Sequence, residues 1–194
     1  MPESKPPFEY PSALDKYMVN EEEFLKQNTQ HQVLVIGACI FNSEGKLLLI
    51  QRAADEHAFP NFWEVPGGKV DNTDQSVLHA VAREVKEETG LTVSKFIREV
   101  GSLGWDEVSR RTGEPVHWHK LVFEVEVKDE VVVLDPVEHQ NHLFASETDV
   151  SNDVCVRSES EDVVLTWISP PNKALNVDAF RDRAARRNGQ VDAN

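Results

Sequence analysis

Residues 67–91 read GGKVDNTDQSVLHAVAREVKEETGL. In the second half of this stretch Val77, Leu78, Val81 and Val85 recur at helical spacing and make one apolar stripe. Glu84, Glu87 and Glu88 stand at i, i+3 and i+4, so the same helix gathers three carboxylates on one face, beside the stripe. Like charges at that spacing cost a few tenths of a kcal/mol, roughly 0.2–0.5 per pair. Thr89-Gly90 reads as a helix stop, which sets the acids near the negative end of the helix dipole. Local physics therefore disfavours the arrangement, and a bound cation would offset it. The two leading glycines suit a tight loop, and Asp74 is a natural N-cap for the helix.

The chain of 194 residues is the size of one domain with extensions, and 40% hydrophobic content is enough for a core. A formal net charge of -14 argues against a nucleic-acid polymer or an anionic membrane as partner, since both attract basic patches. A phosphate-bearing small molecule would need a local cation here. Cys39 and Cys155 have neither disulfide-framework nor zinc-ligand spacing and read as ordinary thiols. The opening MPESKPPFEYPSALDKYM lacks an apolar signal core, and no apolar run approaches the roughly 18 residues of a membrane span. The expectation is a soluble cytoplasmic protein, with a homodimer compatible.

Four prolines in residues 1–11 suggest an extended arm, followed by a short helix with Asn20 as N-cap and Glu23 three residues on. The arm and helix are assigned to residues 1–30, the folded domain to 31–187 and a flexible tail to 188–194. HQVLVIGACIF and KLLLIQR are apolar runs separated by NSEG and read as a hairpin-like pair of strands. A short strand is expected in NFWEV, and further strands in VSKFIREVGSLGW, VHWHKLVFEVEV, VVVL and NHLFAS. Ser146 and Asp149 resemble a capping box, and Ser169-Pro170 starts a longer helix to about Arg187 with Leu175, Phe180 and Ala184 inward.

The stretch 67–91 resembles the Nudix box, the loop-helix signature of MutT-like hydrolases of nucleoside diphosphates linked to another moiety. The likeness rests on Arg83-Glu84, Glu87-Glu88 and Gly90-Leu91, and the flank VIGACIFNSEGKLLLIQRAADEHAFPNFWEVPGGKV is similar to the strands that precede the box in that family. It extends over about residues 32–150. What it implies is an α/β fold, a Nudix-type α/β/α sandwich with a mixed β-sheet. It also implies a Mg²⁺ or Mn²⁺ cofactor and a small-molecule diphosphate substrate cleaved by metal-activated water. There is one departure. The box here is one residue longer, and the slot of a further family glutamate falls on Asp74 or Gln75, which puts the bracing of the loop in question.

The residue chemistry agrees with that implication: Mg²⁺ takes hard oxygens, usually one or two carboxylates plus substrate phosphates, and Glu84, Glu87 and Glu88 are such a patch. The competing reading is a solvated helix face. By resemblance Gly67 lends its carbonyl to the metal, against a plain tight turn. Arg83 braces a glutamate of the patch. Arg52 would hold a substrate phosphate by a bidentate contact, against an ordinary surface arginine. Glu138 in DPVEHQNHLF falls where the family often places a further acidic ligand or base, against a polar loop acid, and His139 beside it reads as without a role. Trp118 and Arg111, with Trp105, Arg110 and Lys120 nearby in sequence, would stack a base and steady phosphates. Two rivals stand beside hydrolysis. One is a non-catalytic module of the same fold that binds a diphosphate ligand. The other is an isomerase of the isopentenyl-diphosphate type, whose cysteine near the pre-box strand is replaced here by WEVPGG. The moiety attached to the diphosphate is not legible, because specificity sits in variable loops.

Overall fold

The computed structural model describes residues 5–156 and 161–191. Strand β1 (Val33–Ile40) is apolar along nearly its whole length because both its faces are covered. After the turn at Gly45, β2 (Leu47–Arg52) leads to the two-residue β3 (Trp63–Glu64) and then to helix α2 (Val77–Thr89). Two long strands follow, β4 (Val93–Val108) and β5 (Pro115–Val127), paired antiparallel. β5 also runs parallel to β1, with Val33 opposite Trp118 and Ile40 opposite Val125. The second sheet has the order β3-β2-β6, all antiparallel, with β6 spanning His139–Ala145. Helix α3 (Glu147–Asn152), a small ribbon of β7 (Val154–Cys155) and β8 (Val163–Val164), and helix α4 (Pro170–Val191) complete the chain. Before β1 stand a 3-10 turn at Ser12–Tyr17 and helix α1 (Glu21–Gln27), the latter capped by Asn20, whose side chain accepts from the Glu23 N–H.

Alternation along the strands divides the core into two layers. Leu34, Ile36, Ala38, Leu121, Phe123 and Val125 meet the α2 stripe of Val77, Leu78, Val81 and Val85. Cys39, Leu47, Leu49 and Val122 face the other way, toward Val150 of α3 and Ala179 and Phe180 of α4. Helices thus cover both faces of a mixed sheet system, the expected α/β/α sandwich. Cys39 and Cys155 are both buried. Among the described residues, no helix is long and apolar enough to cross a membrane.

Several expectations are corrected. β1 and β2 meet through a single bridge, Phe41 to Leu47, and then part into different sheets, because each finds a longer partner in β5 and β6. VVVL is not a strand: the Val133 and Asp135 N–H groups donate to the Thr89 and Glu88 carbonyls, so this segment closes the C-terminal end of α2 and leaves Val131 and Val133 exposed. The proline-bearing arm is not detached. Glu9 pairs with Lys95, and Phe8, Leu14 and Tyr17 lie in the α2-side core, with Phe8 packed edge-on against Phe96 at 4.9 Å. Of the inward positions expected on α4, Phe180 is buried and Leu175 packs on the core, but Ala184 is exposed. α4 also runs past Arg187 to Val191, and the rest of the expected tail lies outside the described residues.

Candidate active site

The glycine loop is held as an extra strand along the free edge of β1. Ile36 N–H donates to the Gly68 carbonyl at 2.8 Å, Ala38 N–H to Pro66 at 2.8 Å, and Val70 N–H to Leu34 at 3.0 Å. Gly67 adopts φ +153, and a Cβ there would lie 2.2 Å from the Ile36 carbonyl oxygen, so no other residue fits. Close approach lets the Gly67 N–H donate to Glu88 Oε2 at 2.7 Å. A Cβ on Gly68 would stand 2.7 Å from Glu84 Oε1, so Glu84 lies directly over the loop. α2 supplies both carboxylates from a helix whose ends are fixed by Ser76, which accepts from the His79 N–H, and by Gly90 at φ 70.

The three glutamates of α2 are not equivalent. Glu88 is 5% exposed, Glu84 13% and Glu87 57%. Glu88 therefore belongs to the buried side of the helix, which corrects the expectation that all three sit beside the stripe. Arg83 ties the group together, donating to Glu84 Oε1 and Glu87 Oε2, both at 2.9 Å. Its other edge forks onto Asp74, Nε to Oδ1 at 3.0 Å and Nη2 to Oδ2 at 2.9 Å. Asp74 is thus not the N-cap. It clamps the loop to the helix, and in the longer box it performs the bracing that the absent glutamate put in question.

From the opposite side β3 brings Glu64 and the start of β6 brings Glu138 and His139. Ligand atoms of Glu88, Glu138 and His139 all lie within 4.8 Å of one another. His139 is 1% exposed, and its Nε2 stands 3.7 Å from Glu64 Oε1 and 3.9 Å from Glu88 Oε1, beyond hydrogen-bond range. Burial pushes the Glu88 carboxyl well above its ordinary range, and Glu64, Glu84 and Glu138 push the same way against the Gly67 N–H. Glu84 is raised too, by burial first, with Arg83 opposing. Burial also pushes Glu64 up, but His139, Lys120 and Arg52 outweigh it and hold this carboxyl below its usual value. Four acidic side chains, a buried imidazole whose nitrogens have no hydrogen-bond partner among the described residues, and a carboxyl that resists ionisation make a donor set that fits a divalent cation.

The structure brings together Gly67, Glu84, Glu88 and Glu138, with Glu87 at the rim. Arg52 is close but engaged: Nη1 donates to Glu64 Oε1 at 2.8 Å, Nη2 to Glu56 Oε2 at 3.1 Å and Nε to the Ala58 carbonyl at 2.8 Å. These bonds use one N–H of each nitrogen, and a phosphate would meet Arg52 with them already made. Trp118 stacks on Trp105 at 5.5 Å and pairs with Val33, roughly 10 Å along the strand from Ile36 where the glycine loop docks. Arg111 lies exposed in the turn between β4 and β5. Neither is placed with the carboxylates. Sequence reading missed Glu64, which sits in a two-residue strand with no signal of its own, and His139, whose adjacency to Glu138 was the one available hint.

Comparison with known proteins gives the family. The family model described as the NUDIX domain matches residues 31–170, and the chain belongs to that family. An uncharacterized Nudix hydrolase of Listeria innocua is 38% identical over 60 residues, covering 31% of this chain and 36% of that protein. The m7GpppN-mRNA hydrolase of Danio rerio is 38% identical over 82 residues, 41% of this chain and 27% of its own length. The chain thus spans about a third of the curated relatives it matches. The crystal structure of a MutT protein from Methanosarcina mazei superposes with a TM-score of 0.55 at 26% identity, covering 80% of this chain and 94% of that one.

Proposed function

We propose that this chain is a divalent-metal-dependent hydrolase that cleaves the diphosphate linkage of a nucleoside diphosphate joined to another group. The observation that carries the reading is Glu88: a carboxylate buried against the glycine loop, with Glu64, Glu84 and Glu138 around it, is costly to ionise alone, and a cation offsets that cost. Mg²⁺ or Mn²⁺ bound there supplies Lewis-acid polarisation of a phosphoryl oxygen and a water of lowered pKa.

The residues then divide the work. Glu84 and Glu88 hold the cation, with Glu87 joining from the rim and the Gly67 carbonyl lent from the loop. The Gly67 N–H fixes which oxygen of Glu88 is left for the cation. Arg83, pinned by Asp74, fixes Glu84. Glu138 is exposed at the rim and close to Glu88, which suits it to accept the proton of an attacking water. Arg52 holds Glu64 in place through Nη1. The Danio rerio relative is named an m7GpppN-mRNA hydrolase, and the phosphate linkage in that name supports the linkage class proposed here. A panel of dinucleotides, nucleotide sugars, nucleoside triphosphates and prenyl diphosphates, assayed with Mg²⁺, Mn²⁺ or EDTA, tests this. Metal-dependent cleavage of at least one phosphoanhydride, cut at least about a hundredfold in Glu88→Gln, is expected. Metal binding with no turnover of any member would make the chain a binding module.

A further inference from the structure

We propose that His139 is a nitrogen ligand of the cation site beside Glu88, and that it makes the site selective for Mn²⁺ or a later first-row divalent ion over Mg²⁺. The inference rests on the reading that the carboxylates hold a cation and names the kind.

His139 opens β6, where its N–H donates to the Asp135 carbonyl and Glu138 carbonyl accepts from Ala53 N–H, so both residues are fixed by backbone bonds at the junction. The imidazole is enclosed, with 0% of its side chain exposed, and among the described residues neither ring nitrogen has a hydrogen-bond partner. An orphaned buried imidazole costs the desolvation of two polar atoms, which structures rarely tolerate without a function. Its Nε2 faces Glu64 at 3.7 Å and Glu88 at 3.9 Å. These separations are too long for hydrogen bonds. They match the span of two atoms sharing one cation with bonds of about 2.0–2.2 Å, which is roughly 3–4 Å for inter-ligand angles of 90° to 120°. A neutral imidazole is a borderline donor: it binds Mn²⁺, Co²⁺ and Zn²⁺ with rising strength and adds little for Mg²⁺, which prefers oxygen and its own waters.

The test reads the metal directly, without substrate. Mn²⁺ is added at one equivalent to the full chain, and pulsed electron paramagnetic resonance records electron-spin-echo modulation from coupled nitrogen. The expected result is ¹⁴N modulation in the wild-type protein that changes to the ¹⁵N pattern on histidine labelling and disappears in His139→Gln. Competition titrations should show Mn²⁺ binding weakened at least about tenfold in that variant and Mg²⁺ binding changed less than about twofold. Should His139→Gln not fold, His139→Asn and the labelled wild-type spectrum decide. Bound Mn²⁺ without nitrogen coupling, as bridging water at His139 would give, overturns the inference and leaves an all-oxygen cation site standing. Nitrogen coupling that survives in His139→Gln also overturns it. No Mn²⁺ binding at all overturns both the inference and the cation reading.

Discussion

Glu88→Gln should make the metal-free protein more stable while abolishing its response to metal. The substitution keeps an acceptor for the Gly67 N–H, which Glu88 now engages at 2.7 Å, and changes little in volume. What it removes is charge. Oxygens of Glu88 and Glu138 lie within 4.8 Å, a separation at which two negative charges repel by about 3.5 kcal/mol at an effective dielectric of 20 and by about 0.9 kcal/mol in water. Glu138 is exposed, so the screened value lies toward the lower end, about 1–2 kcal/mol, equivalent to a rise in Tm of roughly 2–8 °C for a chain of this size. The sign with pH follows from the direction of the shift. The folded-state carboxyl is raised, so the wild type has its full stability below the unfolded value of about 4.3 and loses it as pH climbs through the folded value. The stability gap between variant and wild type should therefore be near zero around pH 4 and widen toward pH 8. Scanning calorimetry in EDTA across that range measures it, and Mn²⁺ should then raise the Tm of the wild type but not of the variant. A variant less stable than wild type at pH 8 in EDTA would refute the claim that this carboxylate is held at a cost in the absence of a cation.

Asp74→Ala should lower stability by about 1–3 kcal/mol in urea melts and slow turnover, because it unpins Arg83, while Asp74→Asn should lose less. Gly67→Ala should destabilise by more than about 2 kcal/mol, since its Cβ would stand 2.2 Å from the Ile36 carbonyl oxygen; a fully stable variant would show that the loop moves freely. Arg52→Ala should reduce Tm even without substrate, because it strips a partner from the buried Glu64. An unchanged Tm with weaker substrate binding would instead return Arg52 to the phosphate role expected from sequence.

The parts legible in the sequence were those set by local pattern. The stripe of Val77, Leu78, Val81 and Val85, the stop at Gly90 and the caps at Asn20 and Ser146 all depend on residues within a few positions of one another. Pairing was harder, because NSEG can close a hairpin and the choice of β5 over β2 as the partner of β1 is made by long-range burial. Charge spacing grouped Glu84, Glu87 and Glu88, but only the packed helix separates the buried Glu88 from the solvated Glu87. The opposite wall of the site escaped notice because Glu64 and His139 are 75 residues apart and acquire meaning only where β3 and β6 both flank β2. Arg52 shows the converse: a cation suited to phosphate also pairs, once folded, with Glu56 and Glu64.

Hydrolysis in ¹⁸O-labelled water, followed by ³¹P NMR on whichever phosphoanhydride the panel identifies, is the most direct measurement of the central claim. Attack of water at phosphorus, assisted by a cation held on Glu84 and Glu88, predicts one ¹⁸O in a single phosphate product. It predicts that label with Mg²⁺ or Mn²⁺ present, its loss in EDTA, and at least a hundredfold slower appearance, by rough estimate, in Glu88→Gln. Cleavage that persists in EDTA, or that proceeds at the wild-type rate in Glu88→Gln, would contradict the account.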